Sequence, residues 1–271
     1  MPKELQWTRE LINTFWDGVS ETSLTNLSFS RHSGSKLLEF VGHHLPPNAK
    51  CLDFGSGGGD LVALVIERGC RAAAFEPSAE RSKDVLDRSF ANHPNFLGVV
   101  DDESTQTFDV VIAAEVLEHV LDSELLGVVK RLRSFLKTGG ILIATTPNNE
   151  DLVSGLAYCP VSDLVFHRWQ HLRSFTAETL DECLSAGGFR RIENHKVDYS
   201  SYADLMEKIA DEKRQIRRLK RKLRYARRYG PLYSLVAPML RSRIEGDNQP
   251  AATVDLRVGG ETNLIYVGKA E

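Results

Sequence analysis

The stretch Lys50-Cys-Leu-Asp-Phe-Gly-Ser-Gly-Gly-Gly-Asp60 decides how the rest of this 271-residue chain is read. An apolar step (Cys51, Leu52) meets an acid, Asp53, and then glycines at 55, 57, 58 and 59. A helical pattern starts at once with Leu61, Leu64 and Val65. This spacing predicts a buried strand, a tight turn and a helix N-terminus. Glycine suits the turn because side chains there would keep a ligand away from the backbone.

A dinucleotide is the first ligand to weigh. Its fingerprint is G-x-G-x-x-G, with pyrophosphate on the helix N-terminus. Here the third glycine position holds Asp60, and Asp53 precedes Gly55 by two residues. Carboxylates on both sides of the loop are poor neighbours for a pyrophosphate and good ones for a cofactor with an ammonium and a sulfonium. The pattern D-x-G-x-G-x-G, formed by Asp53, Gly55, Gly57 and Gly59, resembles motif I of the class I S-adenosylmethionine (SAM) methyltransferases. The resemblance implies that Asp53, Gly55, Ser56, Gly57 and Gly59 contact that cofactor.

Outward from the loop, strands and helices alternate. Arg71–Phe75 is a short apolar run ending at Glu76, which stands 21 residues after Gly55. An acid there is placed to accept bonds from ribose hydroxyls. A helix from Ser78 to about Ala91 leads to Asn95–Asp102, a third strand ending in acids. The resemblance puts that end beside the adenine, with Asp101 and Asp102 both candidates. Phe108–Ala114 is a near-continuous apolar run and reads as a central strand. A helix follows at about 122–136; Gly139-Gly140 then precede a strand at Ile141–Thr145. Residues 150–175 read as an irregular stretch rich in aromatics and histidine, then a helix to Gly187 and a strand at Phe189–Tyr199. Asn263–Gly268 reads as the last strand, antiparallel if the resemblance holds. Alternation of this kind predicts a doubly wound α/β fold, here a seven-stranded, mostly parallel sheet. Asp53, Glu76, Asp101, Glu115 and Asn148 all fall at strand carboxyl ends, where such sheets bind ligands.

Around this core, of residues 50–199 with 261–271, lie two additions. Residues 1–49 carry two apolar helical faces (Trp7, Leu11, Ile12, Phe15, Trp16; then Leu37, Leu38, Phe40, Val41, Leu45, stopped by Pro46-Pro47). They cap the cofactor cleft if the resemblance holds, or pack on a sheet edge. Residues 200–260 form a basic helical insertion before the last strand. Its segment 213–228 holds ten Lys and Arg and no acid, against a net charge of −3 for the whole chain. An acidic body thus carries one basic arm. A solvated helix, attachment to an anionic membrane or self-association through 202–240, and RNA binding are its readings, with RNA the less favoured. The four cysteines (51, 70, 159, 183) lack C-x-x-C spacing and read as reduced thiols. With no signal-peptide core and no membrane-length apolar run, the default is a cytoplasmic protein, peripheral at the membrane if the arm binds lipid.

The chemistry is expected at Glu115, Glu118 and His119, which share one face if a helical turn begins there. Two carboxylates and an imidazole make a plausible divalent-metal set, with His171 or His167 as a fourth ligand. The motif Glu115-x-x-Glu118-His119, with Thr146-Pro-Asn-x-Glu150, resembles the quinone-biosynthesis O-methyltransferases and the small-RNA 2′-O-methyltransferases. The resemblance implies a metal such as Mg2+ on Glu115, Glu118, His119 and His171, and Glu115 also borders the cofactor. Without metal, His119 or His171 is the general base; alternatively Glu118 pairs locally and His119 packs beside the cofactor. The expected function is O-methylation of a hydroxyl on a small molecule, a glycan or a lipid-linked intermediate. RNA methylation, a non-catalytic SAM-binding partner protein and a dinucleotide oxidoreductase are the alternatives.

Overall fold

The computed structural model describes residues 2–199 and 262–271. The chain divides into two compact units, Met1–Lys196 with Thr262–Glu271, and Val197–Glu261. The basic insertion of 200–260, its arm at 213–228 and the seam through 202–240 lie outside the described residues.

The first unit is a seven-stranded sheet. Its strands are β2 (Lys50–Phe54), β3 (Arg71–Phe75), β4 (Phe96–Val100), β5 (Phe108–Ala114), β6 (Leu136–Pro147), β9 (Phe189–Val197) and β10 (Asn263–Ala270). They lie in the order β4-β3-β2-β5-β6-β10-β9. The chain winds outward from β2 to β4, then restarts at β5 and winds the other way. Pairs among β2 to β6 are parallel, and β10 runs antiparallel to β6. The strand order reverses between β2 and β5, so the crevice for a ligand opens at their carboxyl ends.

Apolar strands persist here because both faces are covered. Alternate residues point to opposite faces. Leu52, Phe54, Ala73, Phe75, Val111, Ala113, Leu142 and Ala144 share one core with Val129, Leu132 and Phe135 and with Leu180 and Leu184. These last two groups come from α5 (Leu125–Ser134) with its C-cap, and from α6 (Ala177–Ala186). Phe54 and Phe75 stack at 4.5 Å, and Phe135 meets both. On the other side, α3 (Asp60–Glu67) packs on β2 and β3 and against α2 (Phe29–Phe40). Gly34 lets those two helices approach closely: a Cβ there would lie 3.0 Å from Leu64.

Several elements differ from the sequence expectation. Gly139-Gly140 do not precede a strand; they lie inside β6, which already begins at Leu136. Phe108 pairs with Leu136 but Val110 pairs with Ile141, so the glycines form a bulge. The helix after Glu76 is shorter, α4 (Ala79–Leu86), followed by a 3-10 turn at Ser89–Asn92. α2 stops at Phe40, ahead of the prolines, and a 3-10 turn, Gly42–His44, fills the gap. The stretch 150–175 is not irregular throughout. It holds an antiparallel pair, β7 (Leu156–Cys159) and β8 (Leu164–His167), and β1 (Lys3–Glu4) adds to β8 in parallel. All four cysteines are free thiols. No helix among the described residues is long and apolar enough to cross a membrane.

Candidate active site

The glycine loop has three left-handed residues, Gly55, Gly57 and Gly59, with φ of 79°, 50° and 80°. A Cβ on Gly55 would meet Val116 at 2.8 Å, and one on Gly59 would meet Phe90 at 2.9 Å. Gly57 is different: nothing lies within 4 Å of its Cβ position. Packing therefore demands two of the glycines, and open space faces the third.

Two acids flank that space. Asp53 is buried, and its Oδ2 has no hydrogen-bond partner. Burial, aided by the charges of Glu76 and Asp60, pushes its carboxyl up to about 8. Ser56 is also buried with an unpartnered Oγ. Glu76 is buried but well supplied. It accepts from the Gly57 N–H (3.0 Å), the Ser78 N–H (3.0 Å) and the Arg81 guanidinium (2.5 Å). A carboxylate offers about four acceptor positions, so Glu76 fastens the loop to β3 and keeps one in reserve. Asp60 is taken up by Arg31 at 3.2 Å and Arg88 at 2.7 Å. Its charge is thus spent on α2 and on the start of the 3-10 turn after α4, and the case against a pyrophosphate rests on Asp53 and Glu76. Asp101 and Asp102 stand apart on an exposed turn after β4. Asp101 accepts from the Glu103 N–H, and Arg131 of α5 donates to the carbonyls of Asp101, Asp102 and Ser104.

Beyond β5 the backbone turns sharply rather than entering an α-helix. Glu115 has φ of 54°, and a 3-10 turn covers Leu117–His119. The sharing of one helical face expected for Glu115, Glu118 and His119 is therefore not what assembles them. Leu117 is fully buried in the core, which turns Glu115 elsewhere. Its carboxylate accepts from Thr145 Oγ1 (2.7 Å) and from Asn263 Nδ2 (3.2 Å) on β10. Its backbone N–H donates to the Thr145 carbonyl (3.1 Å). Such over-determination holds a residue in an unfavourable backbone region.

Residues 170–173 wrap onto the 3-10 turn. Gln170 Nε2 donates to the His119 carbonyl (2.9 Å), the Leu172 N–H to the Glu118 carbonyl (2.9 Å) and Arg173 to the Leu117 carbonyl (2.5 Å). This brings His171 beside His119, ring centres 4.9 Å apart. Ligand atoms of Glu118, His119 and His171 lie within 4.8 Å of one another, as do those of Glu150, His167 and His171. Glu115 belongs to neither group.

Hydrogen bonds assign the imidazoles. His119 Nδ1 faces the Gln170 carbonyl at 3.4 Å. A carbonyl only accepts, so Nδ1 carries the hydrogen and Nε2 keeps the lone pair. His171 Nδ1 lies 2.5 Å from Glu150 Oε2, which leaves its Nε2 open in the same way. His167 is reversed: its Nδ1 accepts from the His171 N–H at 3.1 Å, so its hydrogen sits on Nε2, 3.6 Å from Glu150 Oε1. Of the two histidines considered as a fourth ligand, His171 is the one with a lone pair to give. Burial and the neighbouring His171 push His119 down to about 3, so it is neutral at physiological pH.

Glu118 is the anomaly. It is fully buried and neither oxygen makes a hydrogen bond of good geometry, although the Thr146 hydroxyl lies near enough to favour the ionised form. Burial first, and then the Glu115 charge, drive its carboxyl well above the ordinary range. An unpaired buried carboxylate is costly; it takes a proton or a cation.

Helix α1 (Arg9–Ser20) lies across this edge. Asp17 accepts from Ser78 Oγ (2.6 Å) near the end of β3. One residue away, Trp16 Nε1 donates to Gln170 Oε1 (2.8 Å), and its ring sits 4.9 Å from that of His119. Trp7 packs edge-on against Phe15 and Phe166, tying α1 to β8. Gln170 and Arg173 organise the site and carry no sequence signal of that role. Gly155 is a third unmarked residue: a Cβ there would fall 1.8 Å from His167 Nε2. Gly155→Ala should therefore lower stability by about 1–3 kcal/mol through overpacking and disturb His171, which stacks on His167 at 4.6 Å. Thermal melts read the first effect and turnover the second. An unchanged midpoint would show that the imidazole has room to move.

The comparisons with known proteins bear on the fold and the family. A family model described as "Methyltransferase domain" matches residues 28–194. The human mitochondrial ubiquinone biosynthesis O-methyltransferase is 30% identical over 171 residues, which cover 56% of this chain and 45% of that protein. The Brucella anthropi ubiquinone biosynthesis O-methyltransferase is 30% identical over 177 residues, covering 60% and 68%. The chain spans about half the length of the mammalian relatives it matches. The Burkholderia thailandensis 1,6-didemethyltoxoflavin-N1-methyltransferase, solved with 1,6-didemethyltoxoflavin and S-adenosylhomocysteine, superposes with a TM-score of 0.59 at 14% identity, over 99% of this chain and 93% of that one. The family model covers well over half of the chain, from ahead of the glycine loop to β9, and the chain belongs to the class I SAM-dependent methyltransferases.

Proposed function

We propose that this methyltransferase acts on a hydroxyl oxygen of a small molecule, a glycan or a lipid-linked acceptor, and that Glu118, His119 and His171 are its catalytic centre. The observation that carries the reading is Glu118, a buried carboxylate without a hydrogen bond of good geometry beside two oriented imidazoles. That donor set fits a divalent cation: one carboxylate and two nitrogens with free lone pairs, one of them oriented by Glu150. Such a cation, when bound, lowers the pKa of a coordinated hydroxyl. The distant O-methyltransferase relatives support an oxygen acceptor.

The chain's own work is orientation and proton handling. Asp53 and Glu76 hold the cofactor's ammonium and ribose, with Gly57 leaving room for it. SAM brings an electrophilic methyl, so the acceptor needs alignment and deprotonation. Without a cation, His171, paired with Glu150, is the better placed proton acceptor; with one, its Nε2 is a ligand. His119, held near 3, is too weakly basic for that task at neutral pH and serves as a ligand. A screen of hydroxylated acceptors with SAM, read by mass spectrometry, tests the reading. Methylation confined to nitrogen acceptors would overturn it.

Cofactor binding should also release a proton. In the free protein Asp53 stays protonated until about pH 8, against an ordinary value of 3.8. A bound ammonium favours the ionised form, so binding between pH 4 and 8 expels up to one proton. The stability sign is opposite in the free protein. The native state holds a proton that the unfolded chain has lost, so stability falls as pH rises through this window. Calorimetry of SAM binding at pH 7 in buffers of different ionisation enthalpy reads the release. A buffer-independent enthalpy would remove Asp53 from the cofactor contact.

A further inference from the structure

A second histidine cluster lies away from the catalytic edge. The 3-10 turn Gly42–His44 presents two adjacent imidazoles to the edge strand β9. His43 Nε2 and His44 Nε2 stand 3.2 Å and 3.0 Å from the same oxygen, Glu193 Oε1. The other oxygen, Oε2, lies 2.9 Å from His195 Nε2. The two imidazoles and the carboxylate come from chain positions about 150 apart, yet their ligand atoms all fall within 4.8 Å of one another.

We propose that His43, His44 and Glu193 bind a zinc ion, with His195 positioning the carboxylate. Two imidazoles and one carboxylate are a ligand set that zinc uses, the fourth position going to water. Ligand bonds of about 2.0–2.1 Å in a tetrahedron set neighbouring ligand atoms roughly 3.3 Å apart. The two nitrogen-to-oxygen separations already approach that spacing, so the ion needs only small side-chain shifts. The nitrogen-rich set disfavours magnesium and calcium, which prefer oxygen. The frame is firm beneath the ligands. Val41 and Leu45, on either side of the turn, are buried, and the Phe40 ring meets His195 edge-on at 4.9 Å. His195 on the second oxygen is the outer partner that a ligating carboxylate needs. An ion there ties the segment after α2 to β9, the outermost strand of the sheet among the described residues.

The test uses the full chain, stripped of metal and then equilibrated with zinc alone. Equilibrium dialysis with elemental analysis gives the stoichiometry, and thermal melts give the stabilisation. Glu118→Ala/His171→Ala breaks both other ligand groups, which share His171, as competing sites and should keep one zinc per chain. In that background zinc should raise the melting midpoint by about 5 °C or more at concentrations 100-fold above the dissociation constant. Adding His44→Ala/Glu193→Ala should abolish both the bound zinc and the shift. His43→Ala changes an exposed side chain and should leave the fold intact; it should weaken zinc at least about tenfold. Methyl transfer by the otherwise unaltered His43→Ala variant should match the parent. Zinc stoichiometry and midpoint shift unchanged by His43→Ala and by His44→Ala/Glu193→Ala would overturn the site. The imidazoles would then be hydrogen-bond donors to Glu193 and nothing more.

Discussion

Glu118→Ala should reduce methyl transfer on the order of 10³-fold, a typical loss for a group that activates or deprotonates the acceptor, while SAM affinity stays within about threefold. The same position should show an opposite effect on stability. Glu118 is buried with no hydrogen bond of good geometry, so its ionised form strains the metal-free protein. Glu118→Met, which fills the volume without a charge, should raise the melting midpoint of metal-stripped protein even as activity disappears. Chelation of the parent enzyme should reproduce the activity loss, and restoring the divalent cation should reverse it. Full activity in both Glu118→Ala and chelated enzyme would sink the proposed centre. Lost activity together with a lowered midpoint would point instead to a structural role for the carboxylate.

The second large effect is expected at Glu76. Glu76→Ala removes the acceptor for the Gly57 and Ser78 N–H groups and leaves Arg81, whose side chain is only 12% exposed, with Asp17 at 3.9 Å in place of its close partner. SAM affinity should fall about 100-fold, the scale of one or two charge-assisted hydrogen bonds, and stability should fall by about 3 kcal/mol from the broken buried ion pair. Asp53→Asn separates the two effects. It removes a buried carboxyl with an unpartnered oxygen, so it should weaken SAM without destabilising the fold. Isothermal calorimetry and denaturant melts on both variants measure this. Intact SAM affinity in both would remove these acids from the cofactor site.

The sheet was legible because its signals are local. Cys51–Phe54 and Phe108–Ala114 are apolar runs that only a strand covered on both faces tolerates, and the glycine loop announces a turn whatever surrounds it. The place of Glu76 at the end of β3 is readable from its distance to Gly55. The bulge in β6 was not: Gly139-Gly140 break a pattern in the same way whether they separate two elements or kink one, and the partner strand decides. The residues of the E-x-x-E-H motif are gathered differently from the helical turn that their spacing suggests. An α-helical turn would have aligned Glu115 with Glu118; burial of Leu117 forces a tighter turn and sends Glu115 to Thr145 and Asn263. The partners of that turn, Gln170, Leu172 and Arg173, lie some fifty residues downstream, and nothing in their own sequence marks them. The roles of His167 and His171 could not be separated before the hydrogen bonds on each ring nitrogen were known.

The helix lying over the site has an evolutionary consequence. Residues 9–20 precede the segment shared with the family, which begins at 28. Through Trp16 and Asp17 that helix touches both the 3-10 turn of Leu117–His119 and the loop after Glu76. The cofactor apparatus and the element closing over it therefore occupy separable lengths of chain and can diverge at different rates. Under the proposed function, a graft of residues 1–27 between related enzymes is expected to change acceptor preference, provided that Asp17 is kept on Ser78.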